Sequence, residues 1–169
     1  PSMLTVKSFT FSPVQENTYV LYNEQKQCCI IDPGCYFPGE RDELKTGIEK
    51  TGLTPVLLLN THCHLDHVFG NKFVHDTWGL DLHLHTKEKP VLDFAPQSGL
   101  MYQLPFDNYD GPLVYLKEGG IIKIGDDELE IRLWVQSRNQ FQRSFEFSFR
   151  LFDWDGFEKT GGESWARRV

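Results

Sequence analysis

The feature that most constrains the fold of this chain is an aliphatic run that leads directly into a segment crowded with histidine. The run covers residues 56–59, and the segment over residues 61–67 reads Thr-His-Cys-His-Leu-Asp-His. A short apolar run without polar alternation is typical of a strand that lies inside a sheet covered on both faces. Three of the six histidines therefore stand at the carboxyl end of a predicted interior strand.

The pattern before and after this run predicts strands and helices in alternation. β-Branched and aromatic residues favour strands, and apolar residues four apart, such as Leu44 and Ile48, favour a helix. Proline and glycine mark the stops, as in Asp32-Pro33-Gly34 after the third strand. We expect strands over 4–11, 18–22, 27–31, 56–59, 80–85, 121–124, 128–133 and 145–151, helices over 40–50, 68–78 and 87–94, a polar loop over 61–70 and an irregular excursion over 96–112.

Length and composition limit the class of protein. A chain of 169 residues with 40% hydrophobic and 24% charged residues is about one globular domain. A net charge of -7 argues against nucleic acid or an anionic membrane surface as the main partner. No apolar run approaches the roughly 18 residues of a membrane span, and no secretory signal opens the chain, so we expect a cytoplasmic protein.

The four cysteines form no CxxC pair, which favours reduced thiols: Cys28, Cys29, Cys35 and Cys63.

The histidine-rich segment predicts a metal site. In an extended loop, side chains two apart point the same way, so His62 and His64 can present imidazoles to one ion. Asp66 and His67 can supply a carboxylate and an imidazole to a second ion alongside. Zinc held by imidazoles lowers the pKa of a bound water to about 7, and Asp66 could orient that water and take part in proton transfer. The alternative is a histidine-rich surface loop or helix cap.

For the other three histidines, packing or capping is the favoured interpretation. His83 and His85 share one face of a predicted strand and could form a ligand pair, but this is the less favoured alternative. His75 stands alone in a predicted helix.

Residues 61–67, followed by Gly70-Asn71, resemble the THxHxDH signature of the metallo-β-lactamase superfamily. The resemblance is closest to the glyoxalase II-like (hydroxyacylglutathione hydrolase-like) branch. Residues 16–19 (Glu-Asn-Thr-Tyr) resemble that branch's N-terminal strand turn, residues 30–34 (Ile-Ile-Asp-Pro-Gly) its strand that ends in a structural aspartate, and residues 119–130 its later hairpin. The similarity covers residues 4 to about 133.

The resemblance implies an α/β fold, an αββα sandwich that is incomplete at its C-terminal end, with a dinuclear metal site at one edge of the two sheets. His62 and His64 would bind the first metal, Asp66 and His67 the second, and Asp32 would be a carboxylate outside the coordination sphere that holds the metal loop. Two zinc ions are expected, with iron or manganese as alternatives.

The activity implied is that of a zinc-dependent hydrolase in which a metal-bound hydroxide attacks a thioester or related acyl bond. The expected partner is a small-molecule substrate, with no nucleic acid and no membrane, and a homo-oligomer is left open. Glutathione recognition in that branch lies largely in C-terminal basic residues beyond the similarity, so other acyl or phosphodiester substrates also stay open. Two alternatives are a catalytically impaired metal-loop domain and an iron-dependent, persulfide dioxygenase-like enzyme.

The C-terminal part departs from the family pattern, and we divide the chain into residues 1–133 and an atypical tail over 134–169. The family requires a third histidine after the hairpin, a bridging aspartate and a late histidine, but no histidine follows His85. Asp153 and Asp155 are the remaining candidates for the bridging aspartate. Residues 1–130 carry a net charge of -9 and residues 131–169 a net charge of +2, with six of the seven arginines in the second part.

Our hypothesis is that residues from about Trp134 onward are read in a shifted frame. One codon choice for residues 136–139 (Gln-Ser-Arg-Asn), moved by one base, yields Ser-Pro-Gly-Thr, which is close to the run that comes after the missing histidine in the family. The rival explanation is a replaced tail with another role, which completes or caps the same domain.

Overall fold

A six-stranded mixed sheet forms the centre of the molecule, with the strands in sequential order from β1 to β6. The first three strands pair antiparallel and the last four pair parallel, so β3 belongs to both arrangements. Parallel neighbours need crossover connections, and the carboxyl ends of β3, β4 and β5 therefore meet at one edge. The strands are β1 (Thr5–Phe11), β2 (Glu16–Tyr22), β3 (Gln27–Ile31), β4 (Thr54–Leu59), β5 (Leu82–His85) and β6 (Leu113–Leu116).

Helices supply the crossovers and cover one face of this sheet. Helix α1 buries Leu44 and Ile48, as the periodicity predicts. Helix α3 ends at Trp78 and is capped by Gly79, whose φ of 69° lies in the left-handed region that glycine adopts without a steric penalty. The helices are α1 (Pro38–Lys50), α2 (Leu65–Val68), α3 (Asn71–Trp78) and α4 (Lys89–Met101), and a 3₁₀ turn over Thr86–Glu88 precedes α4.

Several of the predicted boundaries were wrong, and the strand β6 was not predicted. The loop predicted over 61–70 contains the short helix α2, and the helix predicted over 68–78 begins only at Asn71. The helix predicted over 87–94 continues to Met101 as α4 and includes Pro96, which removes the first part of the predicted irregular excursion. A proline weakens a helix but does not always end it, because a neighbouring group can satisfy the carbonyl that it leaves free.

A second sheet of three antiparallel strands lies in the C-terminal part, as the predicted hairpin and the alternating strand require. It consists of β7 (Ile121–Ile124), β8 (Asp127–Arg138) and β9 (Gln142–Arg150), with Gly125 at a φ of 62° in the β7–β8 turn. The computed structural model describes residues 4–138 and 142–150, and the side chains of residues 4–131. Asp153 and Asp155 lie outside the described residues.

Apolar side chains pack on both faces of the large sheet. Val20, Ile30 and Leu58 face the helices, whereas Leu59 and its neighbours on the other face pack against Ile124 of the second sheet. The described residues thus form helix, sheet and sheet layers, and the predicted α/β fold is confirmed.

All four cysteines are buried and free, in agreement with the predicted reduced thiols. Among the described residues, none of the helices combines the length and the apolar character that crossing a bilayer requires.

Candidate metal centre

The candidate site lies at the carboxyl ends of β3 and β4, the edge at which open α/β sheets commonly bind ligands. Asp32 follows β3 directly, and the histidine-rich segment follows β4. The Asp32 backbone has a φ of 50°, a left-handed conformation that aspartate tolerates better than most residues. Its N–H donates to the Leu59 carbonyl at 2.9 Å, which ties the two strand ends together.

Asp32, His62 and His67 converge at this edge. One potential ligand atom of each lies within 4.8 Å of the others, and this is the group of metal-ligating type found among the residues that the structure describes. The His62 and His67 rings have centroids 4.0 Å apart. His67 Nδ1 lies 3.1 Å from Asp32 Oδ2.

The other two predicted ligands lie beside this cluster rather than inside it. His64 is an exposed residue, and its ring centroid lies 4.7 Å from that of His62. Asp66 Oδ2 lies 3.4 Å from His67 Nε2, on the side of the ring away from Asp32. The fold therefore brings all four predicted ligands close together. The three side chains whose potential ligand atoms lie nearest one another are, however, Asp32, His62 and His67, and this group does not include His64 or Asp66.

The chemistry of the donor set fits a divalent first-row metal ion. Imidazole and carboxylate groups suit zinc and iron, and carboxylates also suit manganese. The Asp32 carboxylate faces Nδ1 of His67, which leaves Nε2 on the Asp66 side as the available ligand atom. A carboxylate that orients a ligating histidine in this way is a recurrent arrangement around protein metals.

Asp32 also holds the backbone of the metal loop. Its Oδ1 accepts the Thr61 N–H at 2.7 Å and the Asn60 side-chain amide at 3.3 Å, and its Oδ2 accepts the Thr61 hydroxyl. The predicted role of Asp32 in holding the metal loop requires hydrogen bonds of this kind. The role itself stays a prediction.

Four further polar residues around the site carry no signal strong enough for sequence reasoning to single out their roles. Glu16 is 1% exposed, with Oε1 3.6 Å from His67 Nδ1. Asn60 donates to the His67 carbonyl at 3.0 Å and accepts from the Asn71 side chain at 2.7 Å. Glu88 is 3% exposed and accepts the Cys63 N–H at 2.8 Å. The contacts of Glu16 and Glu88 join distant parts of the chain, which no local motif encodes.

Two glycines let the backbone approach the site closely. A Cβ at Gly34 would overlap Glu16 Oε2 and the Asp66 carbonyl, and one at Gly70 would lie 2.6 Å from the Pro33 carbonyl oxygen. These contacts explain why glycine is needed where the loop after β3 crosses α2.

The protonation states favour metal binding. Burial, with the neighbouring His67 imidazole, lowers the pKa of His62 to about 3, and partial desolvation of the imidazole also lowers the pKa of His64. Burial opposes ionisation of Asp32, but His67, His62 and the Thr61 hydroxyl outweigh it and hold the pKa of this carboxyl below its usual value. Neutral imidazoles and an ionised carboxylate are the forms that bind metals.

The remaining histidines make packing and capping contacts, as predicted. His75 Nδ1 lies 2.8 Å from the Leu80 carbonyl, and His83 Nδ1 lies 3.2 Å from the Leu58 carbonyl. His85 Nδ1 accepts the Lys87 N–H and caps the 3₁₀ turn.

An α/β sandwich with a histidine-rich loop at the carboxyl edge of its sheet defines a metal-binding class of protein. Residues 11–135 match the family model of the metallo-beta-lactamase superfamily, and the chain belongs to this superfamily, whose members include metal-dependent hydrolases. The predicted family and its sandwich fold are thereby confirmed.

Two bacterial proteins illustrate the similarity in sequence. The chain is 35% identical over 119 residues to the "Probable metallo-hydrolase YqgX" of Bacillus subtilis, a match that covers 70% of this chain and 54% of that protein. It is 28% identical over 130 residues to the "Hydroxyacylglutathione hydrolase GloC" of Haemophilus influenzae, with coverage of 76% and 59%. The chain thus spans somewhat more than half the length of these relatives.

Solved structures show the same fold. The crystal structure of BLEG-1 B3 metallo-beta-lactamase superimposes with a TM-score of 0.70 at 28% identity, over 87% of this chain and 67% of that one. The crystal structure of TTHA1623 in a di-iron-bound form gives a TM-score of 0.64 at 27% identity, over 75% and 59%.

Proposed function

We propose that this chain is a metal-dependent hydrolase that cleaves a thioester or related acyl bond in a small molecule. The observation that carries the proposal is the convergence of Asp32, His62 and His67 at the carboxyl edge, with His64 and Asp66 beside them. The hydroxyacylglutathione hydrolase among its relatives supports a thioester as the first substrate class to test.

His62, His64, Asp66 and His67 are the residues that would hold two ions. Zinc is the first candidate and iron or manganese the alternatives, since the related TTHA1623 structure is in a di-iron-bound form. When bound, such ions polarise an acyl carbonyl and acidify water.

Asp66 is the residue proposed to orient the attacking water and to accept its proton. Its side chain is 29% exposed, whereas that of His67 is 10% exposed, so the Asp66 carboxylate can meet water and substrate from the open side. The buried Asp32 is shielded from solvent and acts on the loop instead.

The test combines metal content with substrate hydrolysis. Metal-free protein is loaded separately with zinc, ferrous iron and manganese, and its metal content is measured by elemental analysis. Hydrolysis is then followed with a hydroxyacylglutathione thioester, a simple acyl thioester, a β-lactam and a phosphodiester. We expect about two ions per chain and thioester hydrolysis that His64→Ala and Asp66→Ala reduce by more than about 100-fold. His83→Gln is the matched control, because His83 contacts a strand carbonyl outside the site.

The second candidate is a catalytically impaired metal-loop domain, favoured by residues 134–169, which contain no histidine at the place where the family pattern has its third one. Two or three ligands hold zinc far less well than four. Protein that stays metal-free and inactive after zinc addition would support this candidate and contradict the hydrolase.

Sequencing the coding DNA tests the shifted frame proposed from Trp134 onward, since an uninterrupted frame that matches close relatives to residue 169 contradicts it. Oxygen consumption with a persulfide tests the iron dioxygenase alternative.

A further inference from the structure

The loop that carries the candidate ligands is held by side chains rather than by regular secondary structure. Residues 60–64 lie in neither a helix nor a strand, and the N–H groups of such a segment need partners when water cannot reach them. Two N–H groups on either side of His62 find buried carboxylates. Thr61 N donates to Asp32 Oδ1 at 2.7 Å, and Cys63 N donates to Glu88 Oε2 at 2.8 Å.

Glu88 reaches this loop from a third strand end. It is the last residue of the 3₁₀ turn that follows β5 and the N-cap residue of α4, and it is 3% exposed. Glutamate is rarely this buried unless it is paired or hydrogen-bonded. The Glu88 carboxylate accepts a hydrogen bond from the N–H of Cys63, the residue between His62 and His64. The Cys63 side chain is itself fully buried.

The position of this bond determines what it can do. The peptide group of Cys63 links the two histidines that are candidates for the same ion, so any rotation of that peptide swings their side chains relative to each other. Asp32 fixes the chain one residue before His62, and Glu88 fixes it one residue after. The backbone on both sides of His62 is then anchored to two different strand ends.

We propose that Glu88 is a positioning residue of the metal centre, which fixes the Cys63 peptide and thereby sets the directions of His62 and His64. Glu88 touches neither the ion nor the substrate in this role. The inference rests on the proposed function only in taking His62 and His64 as ligands. The hold on the Cys63 amide does not depend on that assignment.

The first test measures hydrogen exchange of the Cys63 amide by NMR in metal-free protein. Glu88→Gln retains an oxygen that can accept the bond, whereas Glu88→Met keeps the size of the side chain without a strong acceptor. We expect Glu88→Met to speed exchange at Cys63 by about tenfold or more, with little change at the Leu58 amide of β4, and Glu88→Gln to restore slow exchange. Equal protection of Cys63 in all three proteins would overturn the proposal. If Glu88→Met does not fold, Glu88→Asp replaces it, because its shorter side chain withdraws the acceptor.

The second test measures zinc affinity by competition with a chromophoric chelator. Loss of an outer partner of a metal site typically costs 10- to 100-fold in affinity, and we expect about that loss for Glu88→Met and less than about threefold for Glu88→Gln. Asp93→Ala is the matched control, since it removes an exposed carboxylate of α4 that pairs only with Lys89 among the contacts described. Equal affinity in Glu88→Met and wild type, or equal losses in Glu88→Met and Glu88→Gln, would overturn the proposal. A wild type that binds no zinc would contradict the proposed function instead and leave the exchange result standing.

Discussion

At the scale of single residues, His67 is the side chain that both buried carboxylates of the site face. Its Nδ1 faces both Asp32 at 3.1 Å and Glu16 at 3.6 Å, and all three side chains are at least nine-tenths buried. Buried carboxylates are costly without nearby donors. For Asp32, the Thr61 N–H and hydroxyl and the Asn60 side-chain amide supply those donors, at the edge where the metal is expected.

Gly34 tests how tightly this arrangement is packed. A Cβ there would overlap Glu16 Oε2 and the Asp66 carbonyl, and both atoms belong to buried or structured parts of the site. We expect Gly34→Ala to lower the free energy of unfolding by about 1–3 kcal/mol and to weaken zinc binding. Urea unfolding and chelator competition measure the two effects. Gly39→Ala is the control, because a Cβ at Gly39 meets nothing within 4 Å; equal behaviour of the two variants would contradict the prediction.

The lowered pKa of His62 predicts that the metal-free protein loses stability in acid. The unfolded chain takes up a proton at the ordinary histidine pKa of 6.5, but the folded chain does so only near a pKa of about 3. The unfolding free energy should therefore fall as the pH drops from about 6.5 toward 3, by up to about 1.4 kcal/mol per pH unit. Asp32, whose folded pKa is also lowered, adds to the loss below its ordinary pKa of 3.8.

Denaturant unfolding in the presence of a chelator between pH 7 and pH 4 measures this slope. His62→Gln should flatten it, whereas His83→Gln should leave it as in the wild type. A slope that His62→Gln does not change would show that other groups cause the acid loss.

At the scale of elements, α4 shows how a helix continues through a proline. Pro96 has no N–H to donate to the Leu92 carbonyl one turn earlier, and the Asn108 side chain donates to that carbonyl at 2.9 Å instead. The loop after the helix thus completes the hydrogen bonding of the helix itself. This pairing also fixes α4, whose N-terminus carries Glu88, against the loop.

A double-mutant cycle tests the pairing of Pro96 with Asn108. Asn108→Ala leaves the Leu92 carbonyl without this donor and should cost about 1–3 kcal/mol. In a Pro96→Ala background the helix regains an N–H for the same carbonyl, so the cost of Asn108→Ala should shrink by at least half. Thermal or urea unfolding of the four proteins gives the coupling energy. Additive effects would contradict the prediction.

At the scale of the whole molecule, the large sheet separates two apolar cores. Cys28 and Cys35 lie in the core under the helices, whereas Cys29 lies in the core between the two sheets. Adjacent residues of one strand face opposite sides, so β3 alone contributes a thiol to each core. The layers share this strand and should unfold together.

Thiol labelling measures whether they do. Burial raises the pKa of both Cys28 and Cys35 to about 12, and the thiolate is the reactive form. We expect the native protein to react with iodoacetamide at pH 8 only through unfolding, with all four cysteines showing the same dependence on urea. Faster labelling of Cys29 than of Cys28, resolved by peptide mass spectrometry, would show that the second sheet opens separately.

The sequence predicted the parts of this protein that depend on local pattern. The buried run before His62, the spacing of Leu44 and Ile48, and the glycine turn between β7 and β8 each place an element, because periodicity and turn chemistry act over a few residues. The same reasoning ended α4 too early, since the donor that rescues Pro96 lies twelve residues further along the chain.

The candidate site, too, could be predicted from the sequence only in part. Four ligand-type side chains within six residues were visible in the sequence, and their chemistry alone indicates a metal. Only the tertiary structure decided that Asp32 and Glu16 would face His67, and that Glu88 would reach the Cys63 amide. Those contacts join the ends of different strands, and the pairing of strands, rather than any local preference, sets which ends meet.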